Sequence, residues 1–429
     1  MRPADVRQLI ADEAFRASVR SVFRDAGTEL PTPLPIHYVR LKPETGLTLG
    51  LGTGAGSGLP GGYVKVFAVG DPDECVRKYE PRAKAGGWVR RVPGVAAVAF
   101  GFPLDRSLGG LPHVVEPQRI KHLLHRELAE LAPDGWRVRA KRTRIELLRY
   151  KPERRAVVRA RLAVRHDPTG EDGVRDLVLR AHADDTWAHT RATIPQIDRW
   201  LAEADRAFRV PKVLGADPER RLVIQEWIPG RPWNPAATNR SELDALVRAV
   251  RRLREFAAPS DADLVLPFGE AITVLEDLVA VAPADLAATA ATLAESLARF
   301  ESRPDLDPTL VHGDLHAHQF VLGNDAEPPA ILDWDRAHVG DFREDIACLL
   351  GHIHLMEMDG RLPPAAGREL RETLTRELGA PRGLEWFVAA QLAKLAFVPF
   401  RNLRPDWETR TADLLRLALE VTTATEVRR

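Results

Sequence analysis

The chain has 429 residues, too many for one ordinary core, so two or three domains are expected. Hydrophobic residues make up 45% and charged residues 28%, the balance of a soluble globular protein, and a net charge of +0 gives no basis for a nucleic-acid partner. Two distant cysteines, Cys75 and Cys348, form neither a disulfide framework nor a zinc-ligand spacing, which points to a reducing cytoplasm. The N-terminal stretch 1–15 contains acidic residues and does not read as a signal peptide, and no run of 18 uncharged apolar residues occurs, so no membrane span is expected. With 9 lysines against 52 arginines, a site that needs a cation will draw on arginine.

The first two-fifths reads as strands punctuated by Gly and Pro. Residues 36–51 and 62–69 are strand-like, joined by the Gly-rich stretch 50–62. Residues 145–164 and 176–183 repeat that layout, and 156–164 alternates with the period of a half-buried strand. Arg40-Leu41-Lys42-Pro43-Glu44 parallels Arg149-Tyr150-Lys151-Pro152-Glu153. Each is followed by a strand, a loop and a second strand with a central cation, Lys65 or Arg180, then by a Val-Pro pair, Val92-Pro93 or Val210-Pro211. A duplicated β-rich unit and a chance similarity over five residues both account for this.

From about residue 230 the pattern turns helical. Ser241 with Asp244 resembles a capping box ahead of the apolar stripe Leu243, Leu246, Val247, Val250 and Leu253. Asp285 reads as the cap of a helix carrying Leu286, Leu293, Leu297 and Phe300. Residues 343–357, 367–378, 383–398 and 407–422 also read as helices, with Pro363-Pro364, Pro381 and Pro405 marking breaks. Strands segregated from helices argue for an α+β architecture with separate lobes rather than alternating βαβ units.

The segment 310–346 stands apart. Two short apolar pieces, Phe320–Leu322 and Ala330–Leu332, are flanked by carboxylates: Asp314 precedes the first, while Asp333 and Asp335 follow the second. A hairpin with acidic groups at one end suits phosphoryl transfer, in which one carboxylate orients the attacking hydroxyl and others hold Mg²⁺ against the phosphates.

His312-Gly313-Asp314 with Gln319 resembles the catalytic loop of the aminoglycoside phosphotransferase family, and Ile331-Leu332-Asp333-Trp334, Gly340-Asp341 and Asp345-Ile346-Ala347 resemble its metal-binding stretch. The resemblance covers about residues 145–429 and implies a bilobal protein-kinase-like fold, Mg²⁺ and ATP as cofactors, and a small-molecule hydroxyl acceptor. It implies Asp314 as the catalytic residue, Asp333 and Gln319 as metal ligands, and Asp345 as a brace for the loop. Arg180 falls where the family often has a phosphate-gripping lysine, and Gln225, Glu226, Trp227 and Ile228 would form the inter-lobe linker that reads adenine. Two departures stand out: Gln319 replaces an Asn, and Arg180 replaces a Lys, a planar fork in place of a point charge. No glutamate partner for Arg180 is evident in the following helix; Glu203 is the nearest.

Other readings weigh against these. Lys151, Arg155 and Asp335 are further candidates, the first two in a turn that lacks glycine and reads equally as solvated. His312 reads as a structural imidazole rather than a base. His316-Ala317-His318 raises a metal-hydrolase reading, weakened by the lack of matched partners downstream. Gly52–Gly58 lacks the ending of a phosphate-binding P-loop and reads as a flexible hairpin loop. Trp227, Trp233 and Trp334 read as packing residues.

The expected organisation is an N-terminal extension over 1–140 (a duplicated unit by one reading), a nucleotide lobe over 141–230, and a helical lobe over 231–429. The expected function is a small-molecule phosphotransferase; the competing class is a non-catalytic nucleotide-binding module. The family resemblance permits aminoglycosides, sugars and amino alcohols as acceptors; a neutral sugar or metabolite is favoured, although Glu344, Glu357 and Asp359 are available to build a cation site.

Overall fold

The computed structural model describes residues 2–42, 44–53, 59–127, 136–203, 206–256, 263–301, 306–323, 327–379 and 382–426. Pro43, most of the Gly-rich loop (Gly54–Gly58), Pro381 and the last three residues therefore lie outside the described residues. The chain divides into two compact units, residues 1–192 with 212–227, and residues 193–211 with 228–429.

Unit one opens with α1 (Pro3–Ala11) and α2 (Glu13–Arg24), which the strand-first reading did not foresee. Asp12 caps α2 by accepting from the Ala14 and Phe15 amides, and Phe15, Val19, Val22 and Phe23 supply its buried stripe. An antiparallel sheet follows: β1 (Ile36–Lys42), β2 (Gly46–Leu51), β3 (Gly62–Phe67), β4 (Trp88–Val92) and β5 (Ala97–Gly101), in the order β1-β2-β3-β5-β4. Helix α3 (Pro72–Tyr79) lies between β3 and β4 in sequence and packs Cys75 and Tyr79 onto Tyr63, Val98 and Phe100.

The second sheet is introduced by α4 (Leu111–Val115) and α5 (Pro117–Glu127). Its strands are β6 (Trp136–Val138), β7 (Arg144–Lys151), β8 (Arg155–His166), β9 (Asp172–His182), β10 (Val213–Asp217) and β11 (Leu222–Glu226), with α6 (Thr186–Ala202) between β9 and β10. The order is β10-β11-β9-β8-β6, with β7 also on β8. The alternation read in β8 buries Ala156, Val158, Ala160, Leu162 and Val164 against Leu111, Val114, Ile120, Leu123 and Leu124 of α4 and α5.

Leaving β6 aside, the two sheets share one strand order and matching registers. Lys42 pairs Gly46 as Lys151 pairs Arg155, across turns of equal length. Lys65 stands between Thr48 and Val98 as Arg180 stands between Val157 and Val223. Val92 pairs Ala97 as Asp217 pairs Leu222. The counterpart of Val92-Pro93 is thus Asp217-Pro218, not Val210-Pro211, which precedes its strand instead of ending it.

Unit two is mostly helical: α7 (Arg240–Arg254), α8 (Pro267–Val281), α9 (Ala284–Glu301), α10 (Arg343–Met358), α11 (Pro364–Glu377), α12 (Leu384–Leu395), α13 (Val398–Arg401) and α14 (Trp407–Glu426). Its short strands are β12 (Arg231–Pro232), β13 (Pro308–Val311), β14 (Phe320–Leu322), β15 (Ala330–Ile331) and β16 (His338–Asp341). Helix α7 begins earlier than Ser241-Asp244 suggested, because Asn239 accepts from the Glu242 amide at 3.0 Å and donates to its carboxylate at 2.9 Å. Asp285 lies in the first turn of α9 rather than at its cap. Phe268, Phe300, Trp386 and Phe387 tie α8, α9 and α12 together, with ring centroids 4.9–6.2 Å apart.

Candidate active site

Strand β13 pairs with β16, Val311 opposite His338, and delivers the chain into the loop His312-Gly313-Asp314. The buried Asp345, in the first turn of α10, accepts from the His312 amide at 2.8 Å and the Gly313 amide at 3.1 Å. Burial pushes its carboxyl up to about 6, against the pull of His312 and of those two amides. Gly313 has φ +74, and a Cβ there would meet the Arg336 carbonyl oxygen at 2.5 Å, so only glycine fits without displacement.

His312, fully buried, links the two halves of the site. Its Nδ1 accepts from the Asp314 amide at 3.3 Å, so its Nε2 carries the proton that reaches the Leu332 carbonyl at 2.7 Å. The ring packs 4.7 Å from that of Trp334, itself fully buried, whose Nε1 donates to the Ile331 carbonyl. His312 and Trp334 are both fully buried, with their ring nitrogens hydrogen-bonded to backbone.

The expected hairpin is present. Phe320 pairs with Ile331, and the Leu332 amide donates to the Gln319 carbonyl at 2.8 Å. Gln319 and Leu332-Asp333 are therefore neighbours, although ten or more residues separate them in sequence. Asp333 itself sits in the left-handed region, φ 64, where the strand breaks into a 3₁₀ turn, Trp334–Arg336, that carries Asp335. Asp333, Asp335 and the Gln319 amide offer hard oxygen donors, the set that suits Mg²⁺. Gly340-Asp341 is structural: buried Asp341 accepts from Arg343 Nε and a terminal guanidinium nitrogen, both at 2.7 Å, and from the Asp307 amide at 2.9 Å.

Asp314 keeps 34% of its side chain exposed. His316 lies beside it as the cap of a 3₁₀ turn, Ala317–Gln319, not on a strand as its spacing suggested, with its ring 4.5 Å from that of His352 of α10. Burial lowers the pKa of His316, with the charges of Asp314 and Asp333 opposing, and lowers that of His352 further. Both rings are held neutral. The carboxylate of Asp314, the thiol of Cys348 and a ring nitrogen of His352 lie within 4.8 Å of one another. Burial pushes the Cys348 thiol well up.

One group escaped sequence reading. Arg336 donates to Glu270 of α8, and Lys394 of α12 lies 3.3 Å from Glu270 and 3.7 Å from Glu344, which also meets His338 at 3.2 Å. Burial would raise Glu270, but Arg336 and Lys394 bring it down to about 2. These ion pairs hold the turn after Asp333, and their separation by tens of residues leaves no local signal.

The remaining candidates lie in unit one, except Ile228, which is buried in unit two against Val321 and Ala330. Arg180 is buried at 5% exposure on β9. Gln225 and Glu226 end β11 opposite Val178 and Leu177, and Glu226 exchanges bonds with the backbone of Lys212. Trp227 is capped by the Arg159 guanidinium at 4.0 Å, a packing contact. Lys151 and Arg155 face each other across the β7–β8 turn. Helix α6 carries no glutamate, and its acid Asp198 lies 4.0 Å from Arg206.

A β-rich unit followed by a helical unit, with an aspartate loop braced by a buried carboxylate, defines a protein of kinase-like α+β class. The model of the phosphotransferase enzyme family, APH, matches residues 169–387, just over half the chain, and the protein belongs to that family. Among curated proteins none matches. Among solved structures the chain is similar to a thermostable mutant of aminoglycoside phosphotransferase APH(4)-Ia (16% identity, TM-score 0.46, 67% of this chain and 95% of that one). It is also similar to choline kinase from Cryptosporidium parvum Iowa II (10%, 0.47, 72% and 96%) and to the amicoumacin kinase hAmiN (16%, 0.47, 71% and 93%). Among the described residues no helix is long and apolar enough to cross a membrane.

Proposed function

We propose that this phosphotransferase moves the γ-phosphoryl group of ATP to a hydroxyl of a small, uncharged acceptor, with Asp314 as the catalytic carboxylate. The observation that carries this is the clasp of Asp345 on the His312 and Gly313 amides, which turns the loop so that Asp314 stays open to solvent. Asp314 accepts the acceptor's proton as its oxygen forms the new P–O bond; the bond from the γ-phosphorus to the bridging oxygen breaks, and ADP leaves. Asp333 and Gln319, with Asp335 as a further candidate, would hold Mg²⁺, which supplies charge neutralisation at the phosphates. Arg180 binds phosphate oxygens, aided by Lys151 and Arg155, and the segment Gln225–Ile228 meets the base. His312 and Asp345 support the loop.

The preference for a neutral acceptor follows from charge pairing. Glu344 is matched by Lys394 and also meets His338, Glu357 is matched by Arg371, and Asp359 by Arg361 and Arg410. A polycation would have to break these pairs, while the neutral rings of His316 and His352 suit hydroxyl groups.

The test is ADP release from Mg·ATP with a panel of neutral sugars, amino alcohols and aminoglycosides. Turnover is expected with a sugar and none in Asp314→Asn. Turnover that survives in the variant removes Asp314 from its role; turnover with aminoglycosides alone overturns the neutral acceptor. Nucleotide binding without turnover on any acceptor favours a binding module.

A further inference from the structure

Lys65 occupies in the first sheet the register position that Arg180 occupies in the second. It is buried at 4% exposure, and its surroundings leave no room for a phosphate role of its own. Its Nζ donates to Thr48 Oγ1 at 3.3 Å and lies 3.8 Å from the Glu153 carboxylate, which belongs to the β7–β8 turn of the second sheet. Arg106, in the segment after β5, lies 3.0 Å from the other oxygen of the same carboxylate, an ion contact rather than a well-directed hydrogen bond.

The backbone of Glu153 is held from the same side. Its amide donates to Asp105 Oδ2 at 3.0 Å, and that oxygen also accepts from Tyr150 at 2.9 Å. Asp105 Oδ1 is fixed by the Ser107 and Leu108 amides. The Arg106 amide in turn donates to the buried Tyr63 hydroxyl at 3.0 Å. Glu153 has φ 59, a conformation glycine adopts freely and a glutamate adopts only when its surroundings hold it. Glu44, at the same place in the first sheet's turn, is exposed. The repeat position alone therefore does not bury a glutamate; the contacts to Lys65, Asp105 and Arg106 do.

We propose that Glu153 is a positioning residue for the nucleotide phosphates and that the first sheet, a second copy of the nucleotide-lobe pattern, is its anchor. The clasp fixes the turn between Lys151 and Arg155, and Arg155 pairs with His182, two residues beyond Arg180. Cations already held in their binding arrangement lose less freedom when phosphate arrives, so the clasp strengthens ATP binding without touching ATP. In this role Lys65 binds a carboxylate of its own chain in place of phosphate. The proposal rests on the nucleotide reading given under Proposed function.

The test uses the full chain and three variants, Glu153→Gln, Lys65→Met and their combination, with thermal unfolding as a check on folding. Steady-state kinetics are read for ATP and for acceptor, hydrogen exchange is read at the amides of residues 151 and 153–155, and Mg·ATP titration of the wild type by calorimetry checks the underlying reading. Glu153→Gln is expected to raise KM for ATP about tenfold and to speed exchange in the turn, with kcat and acceptor KM within about twofold. Lys65→Met should move the same quantities in the same direction, and the double variant should be little worse than Glu153→Gln, since all three loosen one link. If Glu153→Gln does not fold, Lys65→Met decides. Faster exchange with an unchanged KM for ATP overturns the positioning role, as does exchange that does not change. A wild type that binds no Mg·ATP overturns the nucleotide reading and the proposal with it, while the exchange data still show whether the anchor exists.

Discussion

His312 and Leu332, twenty residues apart, are joined by a 2.7 Å hydrogen bond from the imidazole to the carbonyl, with the same ring accepting from the Asp314 amide. One side chain thus sets the loop that carries Asp314 against the strand end that presents Asp333.

Replacing His312 with Ala should separate the two halves. It leaves the Leu332 carbonyl without its donor and opens space against Trp334, a loss of about 2–4 kcal/mol in unfolding free energy. Misplacement of the loop should lower kcat about 100-fold or more. Denaturant unfolding and steady-state kinetics measure both; an unchanged kcat would remove His312 from the support of the site.

Gly313→Ala should destabilise by about 2 kcal/mol or more, because the new Cβ would press on the Arg336 carbonyl at 2.5 Å from a left-handed backbone. Arg336 belongs to the turn after Asp333, so activity should fall more steeply than stability. The melting temperature and kcat of the purified variant test this.

Gln319 is proposed to supply a metal oxygen. Gln319→Ala should raise the Mg²⁺ concentration for half-maximal rate about tenfold or more, with Gln319→Asn less affected. A magnesium titration at saturating nucleotide tests it, and identical curves for wild type and Gln319→Ala would move the metal away from this residue.

Asp345 gives the site a pH signature. Its native value of about 6 lies above the ordinary 3.8, so the native state keeps a proton that the unfolded chain has lost. Stability from this group is full below pH 4 and declines as pH rises to about 6. The ionised form, which accepts two amides with two lone oxygens, dominates above that window. The acid limb of kcat should therefore fall near pH 6 and vanish in Asp345→Asn, whose amide nitrogen would face a backbone N–H, together with most of the activity. pH–rate profiles of the two proteins provide the comparison.

Much of the site was legible along the chain because its parts are local. His312, Gly313 and Asp314 are consecutive, the apolar pieces around Asp333 mark a hairpin, and the family resemblance added Gln319, five residues after Asp314. The alternation of β8 and the stripe of α7 were likewise written in period two and period 3.6. Only the tertiary structure decided what lies opposite what. Burial of Glu153 between Lys65 and Arg106, the pairing of Arg336 with Glu270, and the matching of Glu344, Glu357 and Asp359 with cations all join residues across separate elements. Charge pairing depends on distance in space and on the loss of water around both partners, and neither quantity is carried by the order of residues. The sequence reading of Ser241 with Asp244 also missed Asn239, whose side chain caps α7 through Glu242. Sequence order thus determined which chemical groups this phosphotransferase carries in its site loop, while folding decided which of its charges remain available to a ligand.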